Sequence, residues 1–239
     1  MSALPISVRE RVISDAYETY HEARDVVARK GELAQSWLGV AEGFVKVSSV
    51  VRTGKVVMFS GLPAGAWFGE GSVIRRTIRQ YDVLAMRRSR VLHVPRATFR
   101  WLLEVDIDFN HFIIDHLNAR LGQVMAMTET ARMTDPVVKV ARAISGLFDP
   151  IIHPGLGPLL QISQEELGEL AGLTRQSTNS AIKALQGAGL VRAEYGGLLI
   201  MELDALRNVK EGSMDWHTGT PDTTLGPDPT RRGHLKGKL

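Results

Sequence analysis

The sequence predicts an α+β fold: an N-terminal antiparallel β-roll of jelly-roll (double-stranded β-helix) type, a long helix, and a C-terminal winged helix-turn-helix. Three observations carry this expectation. Residues 25–95 break into short runs rich in Val, Leu and aromatics, separated by Gly, Pro, Ser and Thr, the signature of strands joined by tight turns. Residues 96–131 lack proline and repeat apolar residues at three- and four-residue steps, the period of an amphipathic helix. Residues 163–200 then place two capped helices, a glycine turn between them and a hairpin in that order, which is the pattern of a winged helix-turn-helix.

Composition bounds the rest. At 239 residues and 44% apolar content the chain can build two modest cores. It has no cysteine, which removes disulfides, thiolate nucleophiles, cysteine-ligated zinc and cysteine-held iron–sulfur clusters. The opening MSALPISVRERVISDAYETYHE carries charges too early for a secretory signal, and no apolar run reaches the roughly 18 residues of a membrane span. A soluble cytoplasmic protein with no membrane partner is expected. The net charge of +3 permits nucleic acid as a partner without requiring it.

Within the roll, assigned to residues 1–105, the strands are read from VVARKG, SWLGVAEGFVKVSS, KVVMFSG, YDVLAM and RVLHVP, with glycines 31, 43, 54, 61, 65, 69 and 71 at the turns. The apolar positions of residues 96–131 read as one long helix. Phe109, Phe112, Ile113, Leu117, Leu121, Val124 and Thr128 form its seam. One small roll cannot cover so long a seam, so residues 106–133 are expected to pair with a second copy as a two-fold coiled coil. The alternative is a helix packed on its own domain.

Residues 134–210 form the second domain. Thr134-Asp135-Pro136 opens a helix with an acceptor cap and a proline in its first turn, and Met133 to Pro136 form the expected hinge. Ser163 and Glu166 are spaced as a capping box. Gly172 allows the turn, Leu173 plugs the angle between the helices, and Thr174 caps the second helix, which ends near Gly187 and Gly189. Ile182 and Leu185 face inward. Arg175, Gln176, Asn179 and Ser180 lie on the outer face of the first turns. Arginine can bind guanine O6 and N7 with two bonds, and Gln or Asn can bind adenine N6 and N7, each good pair discriminating by about 1 to 3 kcal/mol. Thr174, Ser177 and Lys183 suit phosphates, which fix register. LVRAEYGGLLIMEL, with its Gly196-Gly197 pair, reads as the wing. Acids are at least as frequent as bases over 135–210, so DNA affinity must rest on local placement rather than on a domain-wide field. Residues 211–239 mix Gly, Pro, Thr and charge without apolar period and are expected to be a disordered tail.

Over residues 20–209 these parts resemble the CRP/FNR family of bacterial regulators. ISQEELGELAGLTRQSTNSAIKALQGAGLV is similar to the family's helix-turn-helix, GELAQSWLGVAEGFVKVS to its roll hairpin, and LPAGAWFGE to the turn entering the ligand pocket. The resemblance implies a homodimer on palindromic double-stranded DNA, RNA polymerase as a further partner, and a small-molecule effector in the roll. Base contacts would fall to Arg175, Gln176, Asn179 and Ser180. Many relatives carry Glu in place of Gln176 and Arg in place of Ser180, so their half-site does not transfer. Candidate effector residues are Phe68, Gly69, Glu70, Arg79 and Gln80. Cyclic-nucleotide binders of this family carry Arg-Ser or Arg-Thr where this chain has Arg79-Gln80. Gln80 lacks the hydroxyl and is longer, which disfavours cyclic AMP and leaves the effector unnamed.

Two other classes stand beside this reading. One is a ligand-binding module whose helical domain makes protein contacts. The other is an enzyme, for which no nucleophile constellation, metal cluster or phosphate-binding loop is found; Gly69-Glu70-Gly71 lacks the Lys-Ser/Thr of a P-loop.

Overall fold

The computed structural model describes residues 4–50, 52, 54 and 56–212, together with short strands at 214–215 and 220–221. In chain order the first half comprises α1 (Ile6–Asp15), β1 (Tyr17–His21), β2 (Val26–Ala28), β3 (Ser36–Glu42), β4 (Phe44–Val50), β5 (Val56–Pro63), β6 (Trp67–Phe68), α2 (Glu70–Arg75), β7 (Asp82–Ala85) and β8 (Ser89–Pro95). Two four-stranded antiparallel sheets, β1-β8-β3-β6 and β2-β7-β4-β5, face each other as a roll. Leu38, Val40, Val45, Val47, Leu62, Phe68, Val83 and Val91 fill the space between them. The strands read from the sequence are all present. The alternation rule missed α1 and the short α2. It also missed β1, whose YETYH has no apolar face of its own and stays in place by pairing with β8 from Tyr17↔His93 to His21↔Ser89.

The expected single helix over 96–131 is two helices, α3 (Arg96–Val105) and α4 (Ile107–Thr130). Asp106 breaks it by taking an extended conformation (φ −131°, ψ 109°) and accepting the Phe109 amide at 2.7 Å. Asn110 Nδ2 donates to the Leu103 and Asp106 carbonyls at 2.7 and 2.9 Å. Asx side chains thus supply the backbone partners that a continuous helix would have used. The bend lets Phe99 of α3 and Phe109 of α4 meet edge-on at 5.6 Å and close around Trp37.

The second half comprises α5 (Pro136–Gly146), β9 (Leu159–Leu160), α6 (Gln164–Ala171), α7 (Arg175–Gly187), β10 (Val191–Glu194), β11 (Gly197–Ile200) and α8 (Leu203–Arg207). Val137, Ala141 and Ile144 of α5, Leu167 of α6 and Ala181, Ile182 and Leu185 of α7 form one core, which Phe44 of the roll enters. Past this domain, β12 (Met214–Asp215) pairs with β13 (Thr220–Pro221) where an unstructured tail was expected. The other tail residues from 213 onward lie outside the described residues. No helix among the described residues is long and apolar enough to cross a membrane.

Candidate functional site

The local code of the helix-turn-helix is realised bond for bond. Ser163 Oγ accepts the Glu166 amide at 3.1 Å while the Glu166 carboxylate accepts the Ser163 amide at 2.6 Å, completing the capping box of α6. Gly172 adopts the left-handed conformation after α6, and Thr174 Oγ1 accepts the Ser177 amide at the start of α7. Leu167, Ile182 and Leu185 are buried. These contacts leave the outer face of α7 free: Arg175, Gln176 and Lys183 are exposed, and Asn179, Ser180 and Ser177 are half-buried beside them. Thr174, expected at a phosphate, spends its hydroxyl on the cap and on Ser177 Oγ at 3.0 Å. The wing turns at Tyr195-Gly196 rather than at the Gly196-Gly197 pair, since Glu194 pairs with Gly197. Gly196 supplies the positive φ of 77°, and Tyr195 stands fully exposed at the tip.

α4 carries two rows about a quarter-turn apart. Facing the rest of the chain are Phe109, Ile113 and His116, all buried, followed by half-buried Arg120. Phe109 and Ile113, placed in the seam by the sequence reading, therefore belong to the aromatic core around Trp37. Facing solvent are Ile114, Leu117, Leu121, Val124 and Thr128, spaced by three and four residues like the a and d positions of a coiled coil. Phe112, at 36% exposure, flanks the inward row and stacks on Phe109. The sequence pattern had merged the two rows into one.

The inward row meets the roll at α2. Gly69 caps α2 at φ 88°, and Arg79 packs so closely that a Cβ at position 69 would stand 2.7 Å from its Nη1. Arg79 is buried, donating from Nη2 to the Ser36 carbonyl at 3.0 Å, while Nη1 has no partner. Burial holds its pKa below the ordinary arginine value. Glu70 is buried with its Oε1 3.5 Å from Nδ1 of His116. Burial raises the Glu70 carboxyl, but His116 and Arg120 outweigh it, and the net pKa is lowered. Arg120 donates to the Trp67 carbonyl at 2.9 Å and to Gln123 Oε1 at 3.1 Å. The Tyr81 hydroxyl is pushed up by burial and by the Glu70 charge.

The expected effector residues thus separate. Glu70 and Arg79 line the buried polar region. Phe68 is a core residue of the roll, and Gln80 points to solvent, donating to the Ile78 carbonyl at 3.0 Å. His116, Arg120 and Tyr81 were missed. The signal for the first two lay in their spacing, which continues the inward row begun by Phe109 and Ile113. Among the described residues no group of three or more His, Cys, Asp and Glu side chains could hold a metal.

Comparison with known proteins agrees with this architecture. The cyclic nucleotide-binding domain model matches residues 18–106, and the Crp-like helix-turn-helix domain model matches residues 138–209. The cyclic AMP receptor protein of Thermus thermophilus is 27% identical over 183 residues, covering 77% of this chain and 83% of that protein. The cAMP-activated global transcriptional regulator CRP of Haemophilus influenzae is 24% identical over 177 residues, 72% and 79% of the two chains. Among solved structures, FixK2 of Bradyrhizobium japonicum superposes with a TM-score of 0.64 at 16% identity, over 81% of this chain and 96% of that one. A CRP/FNR-family transcriptional regulator of Thermus thermophilus gives 0.54 at 22% identity, over 80% and 96%. With its roll, its capped helix-turn-helix and both domain matches in register, the chain belongs to the CRP/FNR family of DNA-binding transcription regulators.

Proposed function

We propose that two copies of the chain pair through the outward row of α4 and read palindromic DNA with α7. The observation that carries this reading is the pair of free faces. The outward row of α4, from Ile114 to Thr128, is apolar at coiled-coil spacing yet exposed in the single chain, and the first turns of α7 expose Arg175 and Gln176. Recognition helices paired about a two-fold axis read half-sites one turn of B-DNA apart, about 34 Å. Arg175, Gln176, Asn179 and Ser180 are assigned to base edges and Ser177 and Lys183 to phosphates. Thr174 positions them as the cap. The regulator works in the cytoplasm and acts on transcription through RNA polymerase.

The roll is assigned a small-molecule effector bound near Glu70 and Arg79. Several similar regulators are described as cAMP-activated. The pinning of Arg79 between Ser36 and Gly69 and the outward turn of Gln80 favour an effector other than cyclic AMP. The test is a footprint of the purified protein on its own upstream region and on palindromic DNA between about 50 and 200 mM salt, a range chosen because phosphate contacts weaken steeply across it. Protection of two half-sites about 10 base pairs apart is expected. A protein that protects no DNA at any salt overturns the reading.

A further inference from the structure

We propose that Arg87 and Lys46 of the roll are positioning residues for the DNA-reading domain: together they clamp α6 and thereby set the aim of α7 without touching DNA. The inference rests on the two-fold reading proposed above. Arg87 lies in the turn between β7 and β8. Its Nε donates to Glu166 Oε1 at 3.2 Å and its Nη2 to Glu166 Oε2 at 2.6 Å, a two-pronged contact, and Nη2 also reaches the Gln161 carbonyl at 2.9 Å. Glu166 is only 6% exposed. One turn further along α6, Glu169 pairs with Lys46 of β4. Beneath both pairs Phe44 enters the core built by α5, α6 and α7. A backbone approach adds to the interface: Gly65 lies so near the Pro154 carbonyl that a Cβ there would stand 2.5 Å from it.

Glu166 does not need Arg87 to cap α6, because the Ser163 amide already completes the box. The arginine therefore adds something the helix itself does not require. A guanidinium fork on a carboxylate fixes orientation as well as distance, and α6 shares a core with α7, so orienting one orients the other. The clamp also leaves Arg175, Gln176 and Lys183 exposed, which favours aiming over blocking. Without it the domain would swing on the connection after α4, and the second half-site would be found at the expense of that freedom.

The test uses full-length protein, with Arg87→Ala, Arg87→Lys, Lys46→Glu and the exchange Lys46→Glu/Glu169→Lys. Affinities are measured for a palindrome and for a duplex with one half-site, alongside the rate of tryptic cleavage after Arg132. For Arg87→Ala the palindrome affinity is expected to fall about tenfold with half-site affinity unchanged, and cleavage at the connection to accelerate several-fold. Arg87→Lys should be intermediate, because lysine cannot form the fork, and the exchange should recover what Lys46→Glu loses. Equal losses on both duplexes would mean α6 was merely destabilised. Tighter palindrome binding would mean a block. Unchanged affinity and cleavage would mean no clamp at all, and each of these three results overturns the proposal. If the wild-type protein prefers neither duplex, the two-fold reading falls, and the cleavage rates still decide whether the clamp exists.

Discussion

The Glu70 carboxylate of α2 and the His116 imidazole of α4 face each other at 3.5 Å, their side chains 8% and 1% exposed. With Arg120 alongside, this places an anion between two basic groups where sensor roll and long helix meet. Removing the anion takes away an opposing charge that acts on half-buried Arg120. Glu70→Ala is expected to lower stability by about 1 to 3 kcal/mol, the scale for stripping a buried polar group of its partner, read as the shift in urea midpoint at constant m. Glu70→Gln, which keeps the shape, should fall between.

On α7, base-reading and phosphate-binding side chains should fail differently. Arg175→Ala is expected to weaken the preferred site by about 10- to 100-fold and to relax base preference at one position of each half-site. Lys183→Ala should weaken all sequences alike and reduce the salt slope by about one. Binding measured on a set of single-base variants at several salt concentrations separates the two.

The exposed row of α4 gives a mass prediction. Leu117→Glu with Leu121→Glu puts like charges on facing seam positions and should yield a species of half the wild-type mass in light scattering. Palindrome affinity should fall about 100-fold through loss of linked binding. Neither residue belongs to the buried cores, so the thermal melt of each domain should change little.

Two histidines set an acid limit. Burial, with the Arg120 charge next, lowers His153 from 6.5 to about 3, and its Nδ1 hydrogen bonds the Leu147 carbonyl at 3.0 Å. Burial, with His21 and Arg79 next, lowers His93 from 6.5 to about 4. In both cases the unfolded chain takes up the proton first. Their stability is complete above pH 6.5 and is lost as pH falls toward the folded values. His153 alone should lose about 2 kcal/mol by about pH 5. Melting curves from about pH 7.5 to 4.5 check this, and His153→Gln should flatten the wild-type slope between roughly pH 6.5 and 5.

What could be read from the chain followed the range of the interactions. Ser163, Thr174 and Asp135 cap helices through bonds to residues two or three positions away, and such caps announce themselves locally. The strands of the roll were legible from turn spacing. Asp106 was equally local, yet the unbroken apolar period around it masked the break. His116 and Arg120 were hidden for another reason: polar residues on a helix look solvent-facing until a second element, here α2, is laid against them. Likewise nothing near Arg87 in sequence indicates that its partner stands 79 residues away.

The stacked rings of Trp37 and Trp67, 4.1 Å apart, make the molecule its own optical probe. They lie against α4 through Phe109 and Phe112, and the Trp67 carbonyl holds Arg120, whereas residues 134–210 contain no tryptophan. With Trp216 replaced by Phe to remove its background, indole emission from Trp37, Trp67 and Trp101 of α3, excited at long wavelength, watches the roll and the base of α4 and is blind to the helices that meet DNA. A titration that changes the emission is therefore one that has reached the sensor.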